Sequence, residues 1–327
     1  MRLIKLVSAV VSLLIYVPVA VNAASDDFPQ HSIRLVTAFN GGISDTIAHT
    51  FSSSFSKALG QSVIVTTRSG GAGNVGVEST ATAVPDGYTL LLGGGWLYTN
   101  HLLQPTAYND PDRSLTAVAP IVSVPYVWVA NPRCDCHDLK GLVQRIKATA
   151  QPVSYGSPGI GTPPHLLVEA FSRDIGKPLL HVPYRGGGPL TVAILSGEVT
   201  FSLISLPTAL PYIQRGNLIA LAATSPTRSP LLPTVPTVRE EGFADQEVTT
   251  WFGLFAPAKL PDPVRRRLVQ ATNDALAQTA PRTTFSSLGA SGFSPREIDA
   301  FPKLLSDERN RWQSLVAPLA AGVNPSR

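Results

Sequence analysis

Sulfur and charge are both scarce in this chain of 327 residues. It carries two cysteines, a single methionine that is also its first residue, and only 15% charged side chains. Two cysteines exclude a disulfide scaffold. The low charge and the lack of a sustained heptad exclude a coiled coil, and glycine without a strict triplet period excludes collagen. A formal charge of +4 is small for this length, and Lys and Arg are not clustered, so no nucleic-acid footprint is expected. With 44% hydrophobic residues the chain is not disordered by composition. Its length suits two domains of ordinary size, each with its own core. What is abundant is backbone punctuation: 29 prolines and 26 glycines.

One apolar run stands out, at residues 6–21, preceded by Arg2 and Lys5 and followed by Val21, Asn22 and Ala23. This is the pattern of a secretory signal peptide cleaved after Ala23, giving residues 1–23 as a leader. The run is 16 residues long with Pro18 near its end, short of the roughly 20 that span a bilayer. No later segment is long and apolar enough to span. Cys134 and Cys136, followed by His137, supply too few close ligands for structural zinc, and redox motifs prefer two intervening residues. A loop pair, free or bridged, is the reading that remains.

The rest alternates strand and helix. Residues 33–39 read as a buried strand, closed by Asn40, Gly41 and Gly42. Ser44 or Asp45 is the expected cap of a helix carrying Ile47, Phe51, Phe55 and Leu59 at helical spacing. A second strand at 62–67, a glycine-rich turn at 69–76, a helix to about Val84 and a third strand at 88–92 complete a βαβαβ series. That series implies a parallel sheet with right-handed crossovers. Further strands are expected at 126–130, 153–155, 179–182, 199–204, 219–223 and 251–255. Helices are expected at 137–148, from Pro163 onward, after Gly188, at 264–278 and at 295–315. The fold class is α/β.

Four glycine-rich turns stand between a strand and a helix, at 40–45, 70–76, 157–162 and 185–188. Open α/β sheets bind ligands at the carboxyl ends of their strands. There a helix N-terminus offers unpaired N–H groups and a positive dipole end to an anion. Gly71 to Gly76 matches the dinucleotide fingerprint, but it sits in the second unit, and no acidic residue ends a strand about 20 residues on. No lysine follows in Walker A spacing. Ser157, His165 and Asp174 could be combined as a triad, yet no nucleophile elbow surrounds Ser157. His31, His49, His101, His137 and His181 are scattered without metal-ligand spacing. The sequence therefore points to no catalytic residue, no cofactor and no metal, and to anion capture over anion chemistry, with an exported hydrolase using Ser157 and His165 as the alternative.

Several runs carry a family likeness: Phe39 to Asp45, Gly60 to Val65, Gly71 to Asn74, Pro85 to Leu90, Tyr155 to Gly159, and His181 to Gly187. The likeness continues through Gly216 to Thr224, Pro233 to Glu240 and Trp251 to Pro257. In this order they resemble the Bug/TctC receptors, the extracytoplasmic solute-binding components of tripartite tricarboxylate transporters. The resemblance implies a periplasmic-binding-protein type II-like fold, with two α/β domains and a ligand cleft between them. Domain 1 would be residues 26–125 with 247–327, and domain 2 residues 126–246. It implies a periplasmic monomer that closes on a small carboxylate (a di- or tricarboxylate, an acidic amino acid or an aromatic acid). The closed form would serve membrane permease subunits or a sensor.

Carried over residue by residue, the expected first-domain contacts are Asn40, Gly41, Gly42, Ser44, Asp45, Gly73 and Asn74, joined by Gly94, Gly95 and Asn100. From the second domain come Ser157, Gly159, Gly161, Thr162 and His165, with Tyr184 and Gly187. Asp45 would cap its helix more than touch an anion it repels. Three departures are visible: Asn40 replaces the usual proline, Thr66-Thr67 the usual Glu-Asn, and Thr200 the usual Asp. Trp96 and Tyr98 follow Gly93-Gly94-Gly95, where small residues are usual. Either they line the cleft and favour a flat carboxylate, or they pack beneath the loop as core.

Overall fold

The computed structural model describes residues 28–104 and 109–320, so the leader lies outside the described residues. The chain opens as β1 (Ile33–Thr37), α1 (Ile43–Leu59), β2 (Val63–Thr67), α2 (Asn74–Ala81) and β3 (Thr89–Gly94). Then come α3 (Trp96–Leu103), the short α4 (Pro111–Ser114) and β4 (Leu115–Ala130). A second series follows: α5 (Leu139–Ala148), β5 (Ser154–Ser157), α6 (Pro163–Ile175), β6 (Leu180–Pro183) and α7 (Gly187–Ser196). It ends with β7 (Phe201–Ser205), α8 (Leu206–Gln214) and β8 (Ile219–Ala223). The tail holds β9 (Thr249–Pro257), α9 (Asp262–Ala277), α10 (Thr279–Ser287) and β10 (Ser291–Gly292). It closes with α11 (Pro295–Asp299) and α12 (Phe301–Ala320).

The strands run in the order β2-β1-β3-β9-β4-β7-β5-β6, with β8 and β10 each paired to β4. β1 lies parallel to β2 and β3, and β5 parallel to β6 and β7, as the alternating pattern requires. β4 and β9 run against these parallel groups: β9 is antiparallel to β3 and β4, and β4 antiparallel to β7 and β8. The strand expected at 126–130 is the last third of a 16-residue strand. Pro120 and Pro125 hide its beginning in the sequence. Pro lacks an N–H for the ladder and is held in sheets only at edges and bulges. The register against β9 duly slips between Ala117 and Ala119 and again between Pro120 and Val122.

The half containing β1–β3 buries Ile47, Phe51 and Phe55 of α1 against Leu35 and Leu90 of the sheet. This is the apolar stripe read from the sequence. The half containing β5–β7 is centred on Trp128, Tyr155, Phe171 and Phe201, all fully buried. The expected last helix is broken at Ala300 into α11 and α12, and Ser294 and Glu297 form a capping box at the start of α11. α12 serves both halves. Phe301 and Leu305 lie in the core behind β3, while Trp312 and Val316 lie in the cluster around Trp128. Cys134 and Cys136 are joined by a disulfide and buried in that second core.

Candidate ligand-binding cleft

The carboxyl ends of the parallel strands in the two halves face each other, and their turns touch. At Gly42 a Cβ would stand 3.4 Å from Gly187 Cα, and at Gly41 3.5 Å from Gly188 Cα. Gly42 also has φ 76°, a left-handed conformation that glycine adopts without strain. Between the halves lies a cavity of about 80 Å³. Four helices point their N-termini at it: α1 through Ile43 and Ser44, α6 through Thr162 and Pro163, α7 through Gly187, and α8 through Ser205 and Thr208. Aligned peptide dipoles make each such end electropositive. Among the described residues, no Lys, Arg or His side chain lines the cavity.

The tips are built differently. α1 has Gly42 as its N-cap with no side-chain cap, which corrects the expected Ser44 or Asp45 cap. Asp45 sits at the third helical position, and from there its Oδ2 accepts the Gly41 N–H at 2.7 Å. This is the reach-back half of a capping box, displaced by one residue. Ser44 lines the cavity, is only 6% exposed, and its hydroxyl has no hydrogen-bond partner among the described residues. α6 begins Pro163-Pro164, so its first two positions carry no N–H to offer. α7 offers Gly187 and Gly188 before Pro189.

Behind α6 lies a closed polar network. Ser157 is fully buried; its Oγ is 2.7 Å from His181 Nε2 and donates to the Gly159 carbonyl at 3.1 Å. The Thr162 hydroxyl donates to the same carbonyl at 2.7 Å, and the Gly161 N–H donates to His165 Nδ1 at 3.1 Å. His165 and His181 stack with ring centres 4.2 Å apart. Burial pushes His165 down to about 3, with His181 adding to the fall, and burial alone pushes His181 down to about 4. Both rings are thus neutral and hold the loop, His165 by accepting the Gly161 N–H and His181 through its bond with the Ser157 hydroxyl. The triad weighed in the sequence is not assembled: the partner of Ser157 is His181, and Asp174 pairs with Arg173.

The remaining expected residues fall into three places. Gly41, Ser44, Thr162 and Gly187 line the main cavity. Gly73, Gly159 and Tyr184 line a neighbouring one, separated from it by Phe39 and Pro158. Tyr184 donates to Glu198 at 2.8 Å. Gly42 faces the outer mouth of the cleft. Asn40 is exposed and Asn74 half-buried at the start of α2, and neither lines these cavities.

Gly94 and Gly95 are core positions, against the Trp251 carbonyl and Glu308 respectively. Asn100 is buried, donates to the Ala72 carbonyl at 2.7 Å and abuts Gly161, tying a loop of each half together. Trp96 is 5% exposed, edge-on to Phe39 at 5.1 Å, with its ring beneath Gly73. Tyr98 turns toward Asp112 and Arg309. Of the two arrangements weighed for Trp96 and Tyr98, the structure displays the packed one.

Reading the sequence missed Ser205, Thr208, Tyr126, Thr250 and Phe252, all lining the main cavity. The first two had a signal: Ser205 before Leu206-Pro207 at the end of an expected strand is a helix start. The other three depend on how β4 and β9 pair, which no local pattern announces.

Residues 47–320 match the model of the tripartite tricarboxylate transporter family receptor. BugT of Bordetella pertussis is 32% identical over 308 residues, covering 93% of this chain and 94% of its own. MatC of Rhodopseudomonas palustris, solved with bound malate, superposes with a TM-score of 0.84 at 28% identity, over 88% of this chain and all of its own. A second R. palustris protein, solved with adipate, gives 0.83 at 28% identity over 90% of this chain and 99% of its own. The fold is therefore of the periplasmic-binding-protein type. On sequence and structure alike, the chain belongs to the tripartite tricarboxylate transporter receptor family, a family of solute-binding receptors and not of enzymes.

Proposed function

We propose that this protein is a periplasmic receptor that captures a small carboxylate by closing two domains on it, then presents the closed form to a membrane permease or a sensor. The observation that carries the reading is the convergence of four helix N-termini, with the unpartnered Ser44 hydroxyl, on one cavity lined by no cationic side chain. A carboxylate there accepts charge-assisted hydrogen bonds from backbone donors of both halves. Those bonds form together only when the halves are closed, so the ligand shifts the open–closed equilibrium by its differential affinity. The domains would be residues 26–125 with 247–327, and 126–246, with α12 spanning both. The relatives solved with malate and adipate support a carboxylate as the ligand. Among the described residues no helix is long and apolar enough to cross a membrane, which agrees with a receptor released from its leader.

The test is a thermal-shift screen over mono-, di- and tricarboxylates, followed by small-angle scattering with each hit. A stoichiometric ligand that raises the melting temperature and reduces the radius of gyration is expected. A chain that responds to no carboxylate, or that closes on a cation, would defeat the proposal.

A further inference from the structure

The cavity walls also specify what the carboxylate is attached to. The N-termini of α1, α7 and α8 meet at one end, since Gly42, Ile43, Gly188 and Thr208 share the adjoining mouth. The rest of the wall is Phe39, Tyr126, Ile204 and Phe252, with Pro163 and Pro164 alongside. Burial holds the Tyr126 phenol above its ordinary range, so it stays neutral. The hydroxyls along the wall are mostly committed: Thr162 to the Gly159 carbonyl at 2.7 Å, and Ser205 and Thr208 to one another at 2.8 Å. Thr250 faces the Tyr126 phenol. Ser44 alone keeps a hydroxyl without a partner, at the same end as the helix tips.

We propose that this cleft takes a monocarboxylate with an apolar, ring-sized body. The carboxylate sits at the α1, α7 and α8 tips beside Ser44, and the body sits between Phe39, Tyr126, Ile204 and Phe252. The inference rests on the carboxylate reading above and narrows it. Aromatic walls reward a flat apolar body through burial and ring contacts. A second carboxylate at that end would lose its hydration without gaining a cation or a free hydroxyl, which is strongly unfavourable. The relatives solved with malate and adipate hold ligands of the other kind, with a carboxylate at each end. The difference therefore separates this chain from them.

Isothermal titration calorimetry of the protein with benzoate, cyclohexanecarboxylate, malate and adipate tests this. The two ring acids are expected to bind at least tenfold tighter than either dicarboxylate. Phe39→Arg, which brings a cation to the half-buried wall at the apolar end of the cavity, should narrow that gap at least tenfold, with circular dichroism checking that the variant is folded. Tighter binding of malate or adipate by the unaltered protein overturns the inference and leaves the carboxylate reading standing. Binding of none of the four overturns both.

Discussion

The two faces of the cleft do different work with the same fold. On the side of β1–β3, α1 presents uncommitted donors: its N-cap is a glycine, its first turn has no proline, and Ser44 keeps a free hydroxyl. On the side of β5–β7, three helices begin with proline in or near the first turn, and their hydroxyls and imidazoles bond one another. Both faces present helix N-termini, but only the first adds an uncommitted side-chain hydroxyl; the second has its side chains spent on holding its own loops rigid. Preorganisation of this kind lowers the ordering cost of binding.

The sharpest way to break the contrast is at the contact itself. Gly42→Leu places a side chain in a left-handed conformation 3.4 Å from Gly187, so the halves can no longer meet. Affinity for the carboxylate should fall at least about a hundredfold by calorimetry, with a melting temperature lowered by only a few degrees. Next comes the donor face. Ser44→Ala should weaken binding by about tenfold or more, since a hydrogen bond to a charged group is worth about 1.5–3 kcal/mol, while the unliganded protein melts as before. Thr162→Ala on the opposite face should instead lower the melting temperature, because its hydroxyl is spent on the Gly159 carbonyl. Equal behaviour of the two variants would remove the distinction.

Asp45→Ala tests a structural carboxylate on the donor face. Loss of its bond to the Gly41 N–H should cost about 0.5–2 kcal/mol of stability in urea titrations, with carboxylate binding retained. Abolished binding with unchanged melting would make Asp45 a ligand contact.

The last effect appears only in acid. His165 and His181 titrate at about 3 and about 4 in the folded chain, below the ordinary 6.5. The unfolded chain therefore takes up protons first as pH falls, and the contribution of the neutral pair, complete above about pH 6.5, is lost between there and about pH 3. Urea midpoints should decline over that window, and less so in His165→Phe.

How much of this was legible follows from how local each signal is. The β1 to β3 series and the glycine turns could be read because alternation, helical spacing and glycine report on their own few residues. β4 could not, because Pro120 and Pro125 are breakers in isolation and become bulges only once β9 lies beside them. α3 was hidden because it follows three glycines and its first five residues, Trp96 to Asn100, are all buried, leaving no polar face in that stretch to set a period. Of the cleft, the turns were visible and the floor was not: Tyr126 and Phe252 face the cavity through non-local pairing. Asp45 was expected to cap α1; it accepts the Gly41 N–H instead, an arrangement that depends on Gly42 taking the N-cap.

The continuous β4 has a mechanical consequence. A receptor whose halves were joined by loops could swivel freely. Here the link is a hydrogen-bonded ribbon, β4 against β9, crossed by α12 with Trp312 anchored in the far core and donating to Glu308 at 2.9 Å. In the proposed open–closed cycle, opening would flex that ribbon, and the slips beside Pro120 are where its ladder is already loosened. A hinge built this way would act as a leaf spring, with a direction of bending set by the sheet and a stiffness set by two prolines.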